Sequence, residues 1–183
     1  MAEYKNDEPC EFVYRVETVS KVVDGDTLDC VFDLGFDVMG KFRVRLLGID
    51  TPESRTRDLE EKFYGLKSKE ALKSWVHWAI MSDRDDIDIQ IRCPEADSRG
   101  KFGRILGEIW INCTEDGHEF NEWTNVNKWM CENGHAVGYH GQNKEDVHGA
   151  HMANRKLLEE QGIKYEKGKL WHNLKSQKEI LAL

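Results

Sequence analysis

Three short segments concentrate the residues of this chain best suited to chemistry. They are Val22-Val23-Asp24-Gly25-Asp26-Thr27-Leu28, Arg43-Val44-Arg45-Leu46-Leu47-Gly48-Ile49-Asp50-Thr51-Pro52-Glu53 and Lys101-Phe102-Gly103-Arg104. Folded onto one site, they supply the carboxylates of Asp26, Asp50 and Glu53 and the guanidiniums of Arg45 and Arg104. Like charges brought together raise the cost of ionising one another unless something compensates. A divalent cation relieves the acids, and a phosphate group matches the planar guanidinium forks. That combination is the chemistry of phosphoryl transfer or phosphodiester cleavage. Taken singly, Asp24 and Asp26 are ordinary turn formers around Gly25, and Arg43 is an ordinary solvated strand residue.

The elements that must position these residues are legible from periodicity. Residues 12–23, 27–34 and 41–48 alternate as strands, with a reversal at Gly35 to Gly40, and form a meander. Arg43 and Arg45 share one face of the third strand, opposite Phe42, Val44 and Leu46. Residues 58–80 change to helical period, with Phe63, Leu66, Ala71, Leu72, Trp75, Trp78 and Ala79 on one stripe. Strands follow over 87–93 and 104–111, then an Asp116-Gly117 turn, a helix over 120–133 stopped at Asn133-Gly134, and a helix over about 149–165. Trp171 is expected to pin the end of that last helix onto the core. The order β-β-β-α-β-β-α-α is that of an α+β fold, a five-stranded OB-fold β-barrel with three helices. No linker-like composition divides the chain, so one domain over 12–171 is expected, with tails at 1–11 and 172–183.

Composition narrows the function class. The chain has 183 residues, 39% hydrophobic and 33% charged, as a globular protein does. No apolar run approaches the ~18 residues that span a bilayer, and the polar, acidic start is not a secretory leader. An intracellular, cytoplasmic protein with no membrane partner is the expectation. Five scattered cysteines without a C-x-x-C pair suggest reduced, buried thiols. The net charge of −8 argues against a nucleic-acid ligand, but Lys41, Arg43, Arg45, Arg55, Arg57, Arg99, Lys101 and Arg104 make the motif-bearing segments locally basic. His148 and His151 have the spacing of a metal pair, yet no other ligand-type residue accompanies them in sequence. The six tryptophans suit core and cap positions.

The three segments together resemble the signatures of the staphylococcal-type nucleases, the thermonuclease-like family. The match runs through Asp24-Gly25-Asp26-Thr27, Arg45 to Glu53 and Lys101 to Arg104. It continues in Glu61-Lys62-Phe63-Tyr64-Gly65, Asp116-Gly117, Asn121-Glu122, Gly134-His135-Ala136 and Lys167-Gly168-Lys169-Leu170-Trp171. The resemblance covers roughly Phe12 to Trp171.

It implies a Ca²⁺-dependent nuclease of DNA and RNA with little sequence preference, leaving 3′-phosphate ends, and acting as a monomer. Asp26 and Asp50 are similar to the family's calcium carboxylates, with Thr51 giving its backbone carbonyl, and hard oxygen donors suit Ca²⁺. Arg45 and Arg104 resemble the clamps on the scissile phosphate, and Glu53 the residue that orients or deprotonates water. Phe102, Tyr139, His140, Arg55 and Lys101 are the substrate-binding candidates, either Tyr139 or His140 filling the family's tyrosine position after the second helix. Phe102 departs from the family's usual tyrosine and lacks its hydroxyl. The alternative is a binding module of the same fold, for nucleic acid or protein, that has lost catalysis.

Overall fold

A computed structural model describes residues 10–81, 88–112 and 123–167. It has strand β1 (Phe12–Asp24), β2 (Thr27–Asp33), β3 (Met39–Leu46), β4 (Ile49–Asp50), helix α1 (Leu59–Met81) and β5 (Ile89–Cys93). A 3₁₀ turn (Lys101–Gly103) follows, then β6 (Ile105–Asn112), β7 (Trp123–Asn125), α2 (Val126–Glu132), β8 (Val137–Gly138) and α3 (Lys144–Glu160).

β1 is long because it serves two neighbours. Arg15 to Asp24 pair with β2, while Phe12 to Arg15 pair with Cys93 to Gln90 of β5. Three register shifts along the β1–β2 ladder bend the strand, and bulges of this kind add the curvature a sheet needs to close. The strand order is β3-β2-β1-β5-β6-β7, and β3 pairs again with β6, in parallel, matching Val44 with Ile105 and Arg45 with Leu106. Five strands thus form a closed barrel, an OB-type α+β fold as expected. Its interior is filled by alternating residues such as Leu28, Val44, Leu46, Ile91, Ile109 and Ile111. Leu72, Val76 and Ala79 of α1, with Val126 and Met130 of α2, complete that core. The front of α1 instead packs Phe63 and Tyr64 on Leu158 of α3, with Ile163 and Tyr165 beside them. The helix therefore buries two faces, where periodicity suggested one stripe.

Several expectations need correction. Of the helix read over 120–133, residues 120–122 lie outside the described residues, and within the described ones the helix is Val126–Glu132. Asn125 caps it by accepting from the Lys128 N–H, and the β-prone Trp123 and Thr124 extend β6 as a sixth strand. The last helix starts at Lys144, five residues earlier than read, because Asn143 caps it through the Asp146 N–H. The two-residue strands β4 and β8, paired through Asp50 and Val137, are too short to carry a periodic signal. The Asp116-Gly117 turn and Trp171 lie outside the described residues. Cys30, Cys93 and Cys131 are free and buried, and Cys10 is partly buried. Among the described residues no helix is long and apolar enough to cross a membrane.

Candidate active site

Asp26 sits at the tip of the β1–β2 hairpin, in the two-residue Gly25-Asp26 link between the paired Asp24 and Thr27. Its backbone carbonyl accepts from Leu46 N–H at 2.8 Å, which fixes the tip against the end of β3. Gly25 is required here by close approach. A Cβ on it would lie 2.8 Å from the Ser68 Cβ and 3.0 Å from the Thr51 hydroxyl. Arg45 leaves β3 opposite Thr27, and Asp50 is held in register by Val137. The following loop, Thr51 to Asp58, lies on α1 at Gly65, where a Cβ would meet the Pro52 carbonyl oxygen at 2.6 Å. Ser68, one turn further, donates to the His135 carbonyl at 2.6 Å and ties α1 to the segment leading into β8.

The side chains converge as the sequence predicts. A cavity of about 370 Å³ is lined by Asp24, Asp26, Arg43, Arg45, Asp50, Thr51, Glu53, Arg55 and Arg104, with Val23, Thr27 and Pro52. Arg45 joins the two central acids: one guanidinium nitrogen contacts Asp26 Oδ2, and the other lies 3.1 Å from Asp50 Oδ1. Asp26 also accepts from the hydroxyls of Thr27 at 2.8 Å and Thr51 at 3.1 Å. Burial pushes the Asp26 carboxyl above its ordinary range. Arg45 pulls it back, as do the hydroxyls of Thr27 and Thr51, while the Asp50 charge adds to the upward push.

The surrounding charges are mostly paired. Arg43 forks onto Asp29 at 2.6 and 2.8 Å, and Arg55 reaches Asp24 at 3.4 Å. Glu53 and Arg104 differ. Among the described residues neither has a side-chain ion-pair partner; Glu53 accepts only the Arg55 backbone N–H at 2.9 Å. The Arg104 guanidinium lies 5.8 Å from the Phe102 ring centroid, and its Nε is 3.4 Å from the Lys101 carbonyl. Phe102 is fully exposed with a left-handed backbone (φ 63°), a conformation uncommon for a bulky residue.

Not all candidates reach the cavity wall. Lys101 and Phe102 flank it through Arg104. Tyr139 and His140 are exposed just beyond β8, where the Tyr139 N–H donates to the Gly48 carbonyl at 2.8 Å. The structure also adds a residue set aside in sequence. His151 of α3 brings its Nε2 to 3.1 Å from Asp50 Oδ2, while His148 is exposed. Its signal was the spacing of His151, Asn154, Arg155 and Leu158, one helix face.

Among the described residues no group of three or more His, Cys, Asp or Glu is arranged to hold a metal ion. The donors that do converge are hard oxygens, two carboxylates beside a threonine. One of those carboxylates is dehydrated and gains from a nearby cation, so the set fits Ca²⁺ better than a softer metal.

Over 114 residues the chain is 34% identical to an uncharacterized protein of Methanocaldococcus jannaschii, covering 57% of this chain and 52% of that protein. The chain thus spans about half the length of the curated relative it matches. The family model described as staphylococcal nuclease homologue matches residues 43–173, from the strand carrying Arg45 past the last helix. With the closed barrel and its converging acids and guanidiniums, this makes the chain a member of the staphylococcal nuclease homologue family.

Proposed function

We propose that this protein is a Ca²⁺-dependent nuclease that hydrolyses phosphodiester bonds in DNA and RNA with little sequence preference, leaving 3′-phosphate ends. The observation that carries the reading is the division of charge around the cavity. Arg45 is locked between Asp26 and Asp50, whereas Glu53 and Arg104 face the same space without ion-pair partners among the described residues. An uncommitted guanidinium and an uncommitted carboxylate lining one cavity suit in-line attack on a phosphate.

Arg104 offers two N–H groups to the non-bridging oxygens, where negative charge grows as water attacks. Arg45, on the strand next to the one that Arg104 leads into, would join it on the same phosphate once a cation takes over Asp26 and Asp50. Guanidiniums placed on those oxygens gain as the charge on them grows, which stabilises the transition state more than the ground state. Glu53, its Oε1 steadied by the Arg55 N–H, orients or deprotonates the attacking water. Asp26, Asp50 and the Thr51 carbonyl would hold Ca²⁺, which when bound supplies Lewis-acid stabilisation of the same charge. Arg55, Lys101, Phe102 and either Tyr139 or His140 lie where they can meet the flanking nucleotides of the substrate.

The test compares wild type with Glu53→Gln on single-stranded DNA, duplex and RNA, with Ca²⁺ and then with chelator. Cleavage should need Ca²⁺, with Mg²⁺ a poor substitute because of its stricter octahedral geometry. Glu53→Gln should lower kcat by roughly 10²-fold or more, with oligonucleotide affinity little changed. Wild-type cleavage that persists in chelator removes calcium from the reading. Binding without cleavage by either protein leaves a binding module instead.

A further inference from the structure

Asp50 has both carboxylate oxygens engaged, one by Arg45 and the other by His151 from an element 101 residues away. We propose that His151 is a positioning residue: its Nε2–H fixes the Asp50 carboxylate in the orientation that completes the cation site. The inference rests on the calcium reading above. A carboxylate only accepts hydrogen bonds, so Nε2 carries the proton in this contact whichever charge state the ring holds. The side chain is only 11% exposed, so water competes weakly for the bond.

Docking of α3 does not need this histidine. Asn154 donates to the Ala136 carbonyl at 2.7 Å, Arg155 pairs with Glu60 at 3.1 Å, and Leu158 is buried against Phe63 and Tyr64. His151 is the forward end of the same helix face, and it alone reaches the site. The Asp50 backbone is already fixed by Val137. Without His151 only the Arg45 contact at one oxygen resists rotation of the carboxylate about its own bond, and rotation changes which lone pairs face the cavity. Partners that hydrogen-bond ligating groups typically change metal affinity by about 10–100-fold when removed.

The experiment is calorimetric titration of the full chain with Ca²⁺ alone, no nucleic acid present, for wild type, His151→Leu and His151→Gln, alongside thermal melts in chelator. The glutamine amide reaches about as far as Nε2 and donates. His151→Leu should weaken Ca²⁺ binding by about 10–100-fold, and His151→Gln should recover most of it. Should the leucine variant fail to fold, His151→Asn, whose shorter amide does not reach Asp50, takes its place in the comparison. Equal Ca²⁺ affinity in wild type and His151→Leu, or a lowered Tm with unchanged affinity, overturns the positioning role and leaves the nuclease reading intact. A wild type that binds no Ca²⁺ overturns both, a result that no behaviour of the variants imitates.

Discussion

Gly65 decides whether the loop carrying Glu53 can rest on its helix, and replacing it by alanine sets two known effects against each other. In a helix interior, alanine is favoured over glycine by about 1 kcal/mol, and it also stiffens the unfolded chain. Those effects alone predict a more stable protein. Against them, the new methyl would stand 2.6 Å from the Pro52 carbonyl oxygen and 2.7 Å from both the Glu53 carbonyl carbon and the Ser54 nitrogen. All three are backbone atoms, so no side-chain rotation relieves the overlap. The loop must retreat by roughly 0.5–1 Å to reach ordinary contact, and overpacking of this sort costs about 1–3 kcal/mol. We expect the overlap to win, for a net loss of up to about 2 kcal/mol and a fall in Tm of a few degrees, near 2–4 °C per kcal/mol for a chain of this size. The displaced segment carries Glu53, and an error near 1 Å in a positioned group costs as much as 10²-fold in rate. Thermal melting and single-turnover cleavage of a labelled oligonucleotide in Ca²⁺ read both effects. A Gly65→Ala protein with higher Tm and wild-type turnover would refute the contact and everything built on it.

Two other perturbations follow from geometry and burial. Arg45→Lys and Arg104→Lys keep a positive charge but lose the planar fork, so each should lower kcat by roughly 10²-fold or more; near-wild-type rates for both would remove the clamp roles. His135 is buried against Trp129, and burial, with Lys67 adding to it, depresses its pKa to about 4. It therefore stays neutral in the fold while the unfolded chain takes a proton near pH 6.5. Its contribution is full above that pH and lost as pH falls toward 4, by roughly 3 kcal/mol at 1.36 kcal/mol per unit. His135→Phe, which keeps a ring against Trp129, should flatten urea-denaturation stability between pH 6.5 and 4, and an unchanged slope would show that other groups set it.

Much of the site was legible because its chemistry is local in sequence. Asp26 follows a hairpin glycine, and Asp50, Thr51 and Glu53 are neighbours on one loop, so a short motif carries their geometry with it. The barrel was legible for a similar reason, since strict alternation in Ile89 to Cys93 or Lys41 to Leu46 reports a half-buried strand directly. What escaped depends on contacts between distant segments. The His151–Asp50 bond has no local signature. Nor does Asn127, fully buried where it donates to the Leu47 carbonyl and accepts from Ile109 N–H. The start of α3 was missed for a different reason. Asn143 and Asp146 supply a capping signal, but the polar run before Gly149 hides it. Trp123 to Asn125 becomes a strand only because β6 offers an edge.

The parallel seam between β3 and β6 divides the candidate site by folding order. Val44 and Ile105 are partners 61 residues apart, and loop-closure entropy delays such pairings relative to the hairpins that make up the meander. A chain with only its first three strands formed already holds Asp26 and Arg45 near each other, while Asp50 still waits for its pairing with Val137. It lacks Arg104, which arrives with the strand that seals the barrel. If the proposed nuclease reading holds, partly synthesised or partly refolded chains should be inert, and the recovery of cleavage during refolding should time the sealing step rather than the first collapse.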